Sequence, residues 1–348
     1  MIRVLVVDDS KVIQEFMVHL LSSDPEIEVI GIAGSGLEAL QQVEEKHPDV
    51  ITMDVHMPVM DGFEATRAIM ESTPTPIVIV SGSLQVKELK NSFKLIEAGA
   101  LAVVLRPPSM NTHEHKEARK NLIRTVKLMS EVKVIRRFPR QDRNGQAIQK
   151  TIVKPENNVK AIKIIAIGAS TGGPLILQNI LSTLPGNLPV PVVIVQHIAK
   201  GFINGFRDWL SISSKLTVKI AVKDEALLPG NVYLAPDDYQ MGISFDFCVT
   251  LQKPDTEKEL CPSVDFLFRS VAEIAGQNSA GVLLTGMGKD GAVELKRMKE
   301  KGAFTIAQDE ATSVIFGMPG EAIKIGAATQ VLPSGKIAEA LVNLFADK

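Results

Sequence analysis

Aromatic residues and cysteines are scarce in this 348-residue chain. Phe, Trp and Tyr make up 5% of it, too few for a platform that stacks single-stranded nucleic acid. The two cysteines, Cys248 and Cys261, are too few and too oddly spaced for a disulfide framework or a zinc site. They read as buried thiols of a reducing compartment. Net charge is missing too. Its 38 basic and 40 acidic residues leave −2, without the basic footprint of a nucleic-acid binder. No Asp, Glu, Lys or Arg occurs from Ile164 to Ala199. That stretch holds Pro174, Pro185, Pro189 and Pro191, with the polar Ser170, Gln178, Asn179 and Asn187. It therefore reads as strand, turn, helix, loop and strand of a buried core, not as a membrane span. The first run, Ile2 to Val7, meets Asp8 and Asp9 at once, unlike a secretory leader. The expectation is a cytoplasmic protein without direct membrane insertion.

What is present is an ordinary globular balance, 45% hydrophobic and 22% charged. The length suggests two domains on a prior of roughly 100–200 residues each. Short apolar runs at Ile2–Val7, Val29–Ala33, Val50–Met53, Ile77–Val80 and Leu101–Leu105 alternate with helical patterns. Residues 130–160 break the pattern with Pro139, Gly145, Pro155 and an excess of Lys and Arg, which reads as a solvated linker. From Ile162 the alternation resumes, with strands expected at Ile162–Ile167, Val192–Val195, Thr217–Val222, Val232–Leu234, Val282–Leu284 and Phe304–Ala307. Continuous apolar strands separated by amphipathic helices indicate parallel sheets covered on both faces. The expected fold is α/β, two doubly wound parallel-sheet domains over 1–129 and 161–348, joined by 130–160.

In such sheets chemistry gathers at the carboxyl ends of the strands. In the first domain those ends carry Asp8 and Asp9, Asp54, Ser81 and Arg106. An aspartate after a strand is commonly only a helix N-cap, but three converging carboxylates repel unless a cation sits among them. Hard oxygen donors suit Mg²⁺, and a hydroxyl and a guanidinium nearby suit phosphoryl oxygens. The conjunction points to a carboxylate that accepts a phosphoryl group with metal help.

These residues resemble the receiver domain of two-component response regulators, through Val6-Val7-Asp8-Asp9-Ser10, Met53-Asp54-Val55-His56-Met57-Pro58 with Asp61-Gly62, and Ser81. The resemblance implies a flavodoxin-like fold and Asp54 as phosphoacceptor, with a histidine kinase as phosphodonor. It places Mg²⁺ on Asp9, Asp54 and the His56 carbonyl, helped by Asp8. Ser81 is implied as the switch hydroxyl, with Arg106 beside it. Two positions depart from the family pattern. Arg106 stands where lysine is usual, and Val103 occupies the aromatic switch position.

The second domain opens with Gly168-Ala169-Ser170-Thr171-Gly172-Gly173-Pro174 ahead of a helical pattern. The glycine spacing is not that of a dinucleotide loop, and the next strand ends in Gln196-His197 rather than an acid. The same residues satisfy G-x-S-x-G, a nucleophile on a tight strand-to-helix turn. A serine nucleophile needs a base, and His197 is the only histidine of this half. A third group must orient the imidazole. The glycine-rich turn Thr285-Gly286-Met287-Gly288-Lys289-Asp290-Gly291 carries Asp290 for that role.

This half resembles the chemotaxis protein-glutamate methylesterases. The matching stretches are Ile167–Pro174, Val195–Ile198, Leu228–Pro236, Pro262–Ser270, Leu284–Ala292 and Ile306–Pro319. The resemblance implies a larger Rossmann-like domain with Ser170 as nucleophile, His197 as base and then acid, and Asp290 as the orienting carboxylate. Amides near Met287 are implied as oxyanion donors, assisted by Thr171. No cofactor is implied for the esterase. The implied substrates are methylated glutamates on the cytoplasmic helices of chemoreceptors, with deamidation of receptor glutamines by the same acyl-enzyme. The receiver would gate the cleft through phosphorylation. Leu260-Cys261 and Asp238-Tyr239-Gln240 depart from the family pattern in places that bear on substrate preference. The competing function is a receiver-controlled protein that docks on receptors without turnover.

Overall fold

In the computed structural model the described residues are 1–82, 93–108, 113–132, 134, 162–256 and 259–345. The expected linker, 130–160, lies outside them except for 130–132 and 134.

The first half builds β1 (Ile2–Val7), α1 (Lys11–Leu21), β2 (Ile27–Ala33), α2 (Gly36–Lys46), β3 (Val50–Met53), α3 (Gly62–Ser72) and β4 (Ile77–Ser81). A helical stretch over 93–98 (α4), β5 (Ala102–Leu105) and α5 (His113–Ser130) complete it. All five strands are parallel, in the order β2-β1-β3-β4-β5, the flavodoxin-like order. The reason lies in the strand composition. Val4 to Val7 and Val50 to Met53 are buried throughout, as a sheet covered on both faces requires. Helix starts are capped by side chains: Ser35 Oγ accepts from Glu38 N at 3.2 Å, and Asp61 from Glu64 N at 2.9 Å.

The second half starts with β6 (Ile164–Ala169), α6 (Gly173–Thr183), β7 (Val192–Gln196), α7 (Ile203–Ser213), β8 (Thr217–Ile220) and β9 (Asn231–Leu234). It continues with β10 (Gln240–Ile243), β11 (Val249–Gln252), α8 (Val264–Ile274), β12 (Ser279–Leu283), α9 (Ala292–Glu300), β13 (Phe304–Gln308), α10 (Met318–Lys324), β14 (Gln330–Leu332) and α11 (Ser334–Asn343). Seven strands form one parallel sheet, ordered β14-β13-β12-β6-β7-β9-β8. The chain leaves the central β6 toward β7 on one side and later returns to β12 on the other. The crevice at that reversal is where such sheets place ligands. The uncharged stretch of the sequence becomes β6, α6 and β7, and no described helix is long and apolar enough to cross a membrane.

Three elements lie outside the sequence expectation. β10 and β11 pair antiparallel as a separate hairpin, and β14 adds a short edge strand to β13. The cysteines also differ from expectation. Both are free, but each is half-buried rather than buried.

The two sheets are packed together through α4, β5 and α5. Phe93 stacks on Trp209 with centroids 5.3 Å apart and contacts Phe206 at 5.4 Å. Glu97 accepts from Trp209 Nε1 at 2.9 Å and Gln178 Nε2 at 2.7 Å. Phe93 and Ile96 share one buried apolar cluster with Leu177, Phe206 and Trp209, and Val103 packs against it.

Candidate functional site

Ser170 follows β6 directly and is 8% exposed. Its N–H donates to Thr285 O at 3.0 Å, and its own carbonyl accepts from Gly173 N at 2.9 Å. The turn needs glycine at 172, where φ is +80° and an added Cβ would lie 2.5 Å from Val314 Cβ. Gly172 caps α6 without a side chain.

His197 follows β7, and its N–H donates to Ala169 O at 2.9 Å. Its Nε2 lies 2.9 Å from Asp290 Oδ2. Asp290 also accepts from Val264 N at 2.7 Å, Ser263 Oγ at 2.9 Å and Asp265 N at 3.0 Å. Two bonds thus reach each carboxylate oxygen. Burial would raise the Asp290 pKa, but His197 and the α8 amides outweigh it and hold the group below its ordinary value. An ionised Asp290 fixes the proton of the neutral imidazole on Nε2. Nδ1 is left as the basic nitrogen.

The ends of β6, β7 and β12 therefore bring together Ser170, His197 and Asp290. Ser170, Thr171, His197 and Met287 line one cavity of about 330 Å³. Ser170 Oγ and the amides of Thr171 and Met287 make no hydrogen bond among the described residues. A serine hydroxyl and unengaged amides on one cavity are the groups that attack on an acyl carbon would need. The other wall of that cavity comes from the first half, through Val103, Asn121, Arg124, Thr125 and Leu128. Arg124 reaches the sulfur of Met287 itself.

The two departures in sequence meet behind this site. Gln240 is fully buried. Its Oε1 accepts from Ser263 N at 2.8 Å, and its Nε2 donates to Leu260 O at 2.8 Å. Leu260 lines the cavity. Sequence reasoning missed Ser263 and Asp265 as partners of Asp290. The only signal was the Pro262-Ser263-Val264-Asp265 stretch just before α8, where a serine is also a good N-cap. Asp265 itself accepts from Gly291 N at 2.9 Å. Burial, with Asp290 and Glu294 nearby, pushes it up to about 6.

In the first half, Asp8, Asp54, Ser81 and Arg106 gather at the strand ends as expected, with Asp9 exposed beside them. Asp54 N donates to Val7 O at 2.9 Å, and Asp54 Oδ2 accepts from His56 N at 2.9 Å. Burial raises the pKa of Asp54. Burial likewise pushes Asp8 up to about 6, reinforced by Asp54 and Asp9 and opposed by Ser10 N–H and Arg106. Arg106 Nη1 lies 3.8 Å from Asp8 Oδ2. Among the described residues no three His, Cys, Asp or Glu side chains enclose a metal site by themselves.

Comparison with known proteins gives two family matches. A family described as CheB methylesterase matches residues 165–341, and one described as response regulator receiver domain matches 4–115. A protein-glutamate methylesterase/protein-glutamine glutaminase of Nitrosospira multiformis is 51% identical over 348 residues, covering 100% of this chain and 98% of that one. A similarly named protein of Syntrophus aciditrophicus is 52% identical over 345 residues, covering 99% and 98%. The crystal structure of the Thermotoga maritima CheB methylesterase catalytic domain is 42% identical. It covers 53% of this chain and all of that chain, with a TM-score of 0.51.

Proposed function

The chain belongs to the CheB methylesterase family and carries a response regulator receiver domain, and we propose that Ser170, His197 and Asp290 are its hydrolytic machinery. It is a protein-glutamate methylesterase and protein-glutamine glutaminase that serves chemotactic adaptation. The observation that carries the site assignment is the His197–Asp290 contact at 2.9 Å, opening on the cavity that holds Ser170. We take 1–129 as the receiver, 130–160 as linker and 161–348 as the catalytic domain.

The chemistry follows from the geometry. His197 Nδ1 takes the proton of Ser170 Oγ as that oxygen bonds to the carbonyl carbon of a glutamate methyl ester. The amides of Met287 and Thr171 receive the oxyanion. Collapse breaks the ester C–O bond, and the leaving methoxide takes the proton from His197, giving methanol. Water then attacks the acyl-serine and passes its proton to Nδ1. The imidazolium returns it to Ser170 Oγ as glutamate departs. A glutamine side chain follows the same course with ammonia as leaving group. Asp290 stays ionised throughout and steadies the imidazolium, its four hydrogen bonds leaving it no reason to accept a proton.

In the receiver, Asp54 is the phosphoacceptor. Mg²⁺ chemistry fits the donor set, since this ion takes one or two carboxylates and keeps several waters rather than needing an all-protein cage. Asp9, Asp54 and the His56 carbonyl would hold it, with Asp8 behind them. When bound it supplies charge neutralisation for the incoming phosphoryl group. Ser81 and Arg106 stand where phosphoryl oxygens would be held.

The receiver wall on the cavity supports a gate: substrate reaches Ser170 once α5 and β5 move away. The substrates of this reading are methylated chemoreceptor helices, the phosphodonor is a histidine kinase, and the setting is cytoplasmic. The test is methanol release from methylated receptor membranes, with and without acetyl phosphate. Release that rises with the phosphodonor is expected. No release in either condition would overturn the esterase assignment.

A further inference from the structure

The ladder between β6 and β7 ends at the pair Ala169–Gln196, one residue short of both Ser170 and His197. The last backbone bond there runs from His197 N to Ala169 O, and the Ser170 carbonyl takes no part in it. One side chain bridges the two residues. Gln196 Nε2 donates to Ser170 O and to His197 O, at 2.8 Å each. Both hydrogens of that amide are thereby used, and the two acceptors are the backbones of the two reacting residues.

The orientation of this amide is fixed by its neighbours. Rotating it by half a turn would set Oε1 against two carbonyl oxygens. In the observed orientation Oε1 is buried without a partner. It faces the start of α6, where a Cβ on Gly173 would lie 2.4 Å from it. A buried unpartnered oxygen opposes folding, and the strand it extends is otherwise valine and isoleucine. What the amide supplies in return is a donor to each of two carbonyls.

We infer that Gln196 is a positioning residue that sets the separation of Ser170 and His197 by bridging their backbones. The inference rests on the triad reading above. Displacing a reacting group by about 1 Å can cost on the order of 100-fold in rate. Gln196→Met keeps the volume and removes the bridge. It is expected to lower kcat by about 10- to 100-fold with little change in KM.

The test follows labelling of Ser170 by a fluorophosphonate in the full-length protein, which does not depend on the identity of the substrate. Gln196→Met should slow labelling by a factor similar to its loss in kcat. In a His197→Ala background the same substitution should change labelling little, because there is no base left to position. Equal slowing in both backgrounds, or labelling as fast as in the parent, would overturn the inference. A parent protein that does not label at Ser170 even with acetyl phosphate and Mg²⁺ present would instead overturn the triad reading. If Gln196→Met does not fold, Gln196→Glu gives an independent answer. Its carboxyl can donate to a carbonyl only when protonated, so its activity relative to the parent should rise as pH falls. A ratio that stays flat with pH would count against the bridge.

Discussion

Arg124 and Met287 meet across the boundary between the two sheets, with guanidinium nitrogens 2.8 and 3.0 Å from the thioether sulfur. The turn whose Met287 amide is proposed as an oxyanion donor is thus held from the receiver side. Arg124→Ala should loosen this contact without touching the triad. The expected outcome is a basal methanol release raised roughly fivefold, the low end of usual coupling energies, with the rate under acetyl phosphate little changed. An unchanged basal rate would mean that Arg124 does not restrain the site.

Ser170→Ala and His197→Ala should each lower turnover by about a thousandfold or more, and the double substitution by little more than either. Steady-state methanol release from the three variants decides this. Losses that multiply would show that the two side chains act separately.

Asp54→Asn keeps the side-chain volume and removes the proposed acceptor carboxylate. Stimulation by acetyl phosphate should vanish while basal release stays within about twofold, since Asp54 does not line the cavity that holds Ser170. Retained stimulation would point to a different acceptor.

The acid pair behind His197 gives a pH prediction. Asp265 titrates near 6 in the folded chain against an ordinary 3.8. The folded state therefore binds this proton more tightly than the unfolded one. Stability from this group is greatest below about pH 4, falls as pH rises toward 6, and is flat above. Asp265→Asn retains an acceptor for Gly291 N and removes the charge. It should raise the thermal midpoint at pH 8 by a few degrees, about 2–4 °C for each ~1 kcal/mol, and flatten the dependence between pH 4 and 6. A midpoint at pH 8 no higher than the parent's would contradict the assignment. Asp290 has the opposite sign: its pKa is lowered, so its contribution is present above about pH 4 and lost as pH falls below.

Much of this site was legible in sequence for one physical reason. A buried parallel strand is an apolar run, and the first polar residue after it marks its carboxyl end. Ser170, Asp8 and Asp54 announce themselves in that way, His197 follows one residue later behind Gln196, and the glycines around Asp290 mark its turn. The partners that complete the chemistry do not. Gln196 reads as the last residue of a strand, and nothing local says that its amide spans two carbonyls. Ser263 and Asp265 reach Asp290 from 25 or more residues away. β14 has only three residues, and β10 contains Gly242, so neither shows a strand period long enough to recognise. The pairing of Glu97 with Gln178 and Trp209 joins positions 81 and 112 residues apart, beyond any spacing rule.

That last contact gives the protein an optical reporter of its own. Trp209 is the sole tryptophan, 2% exposed, with its indole N–H on a receiver carboxylate and its ring against Phe93. Any motion that lifts the receiver from the cleft must wet this indole. Phosphodonor should therefore shift its emission to longer wavelength, and an acrylamide titration should find it newly quenchable. Opening and ester hydrolysis can then be timed in one cuvette, on unlabelled protein.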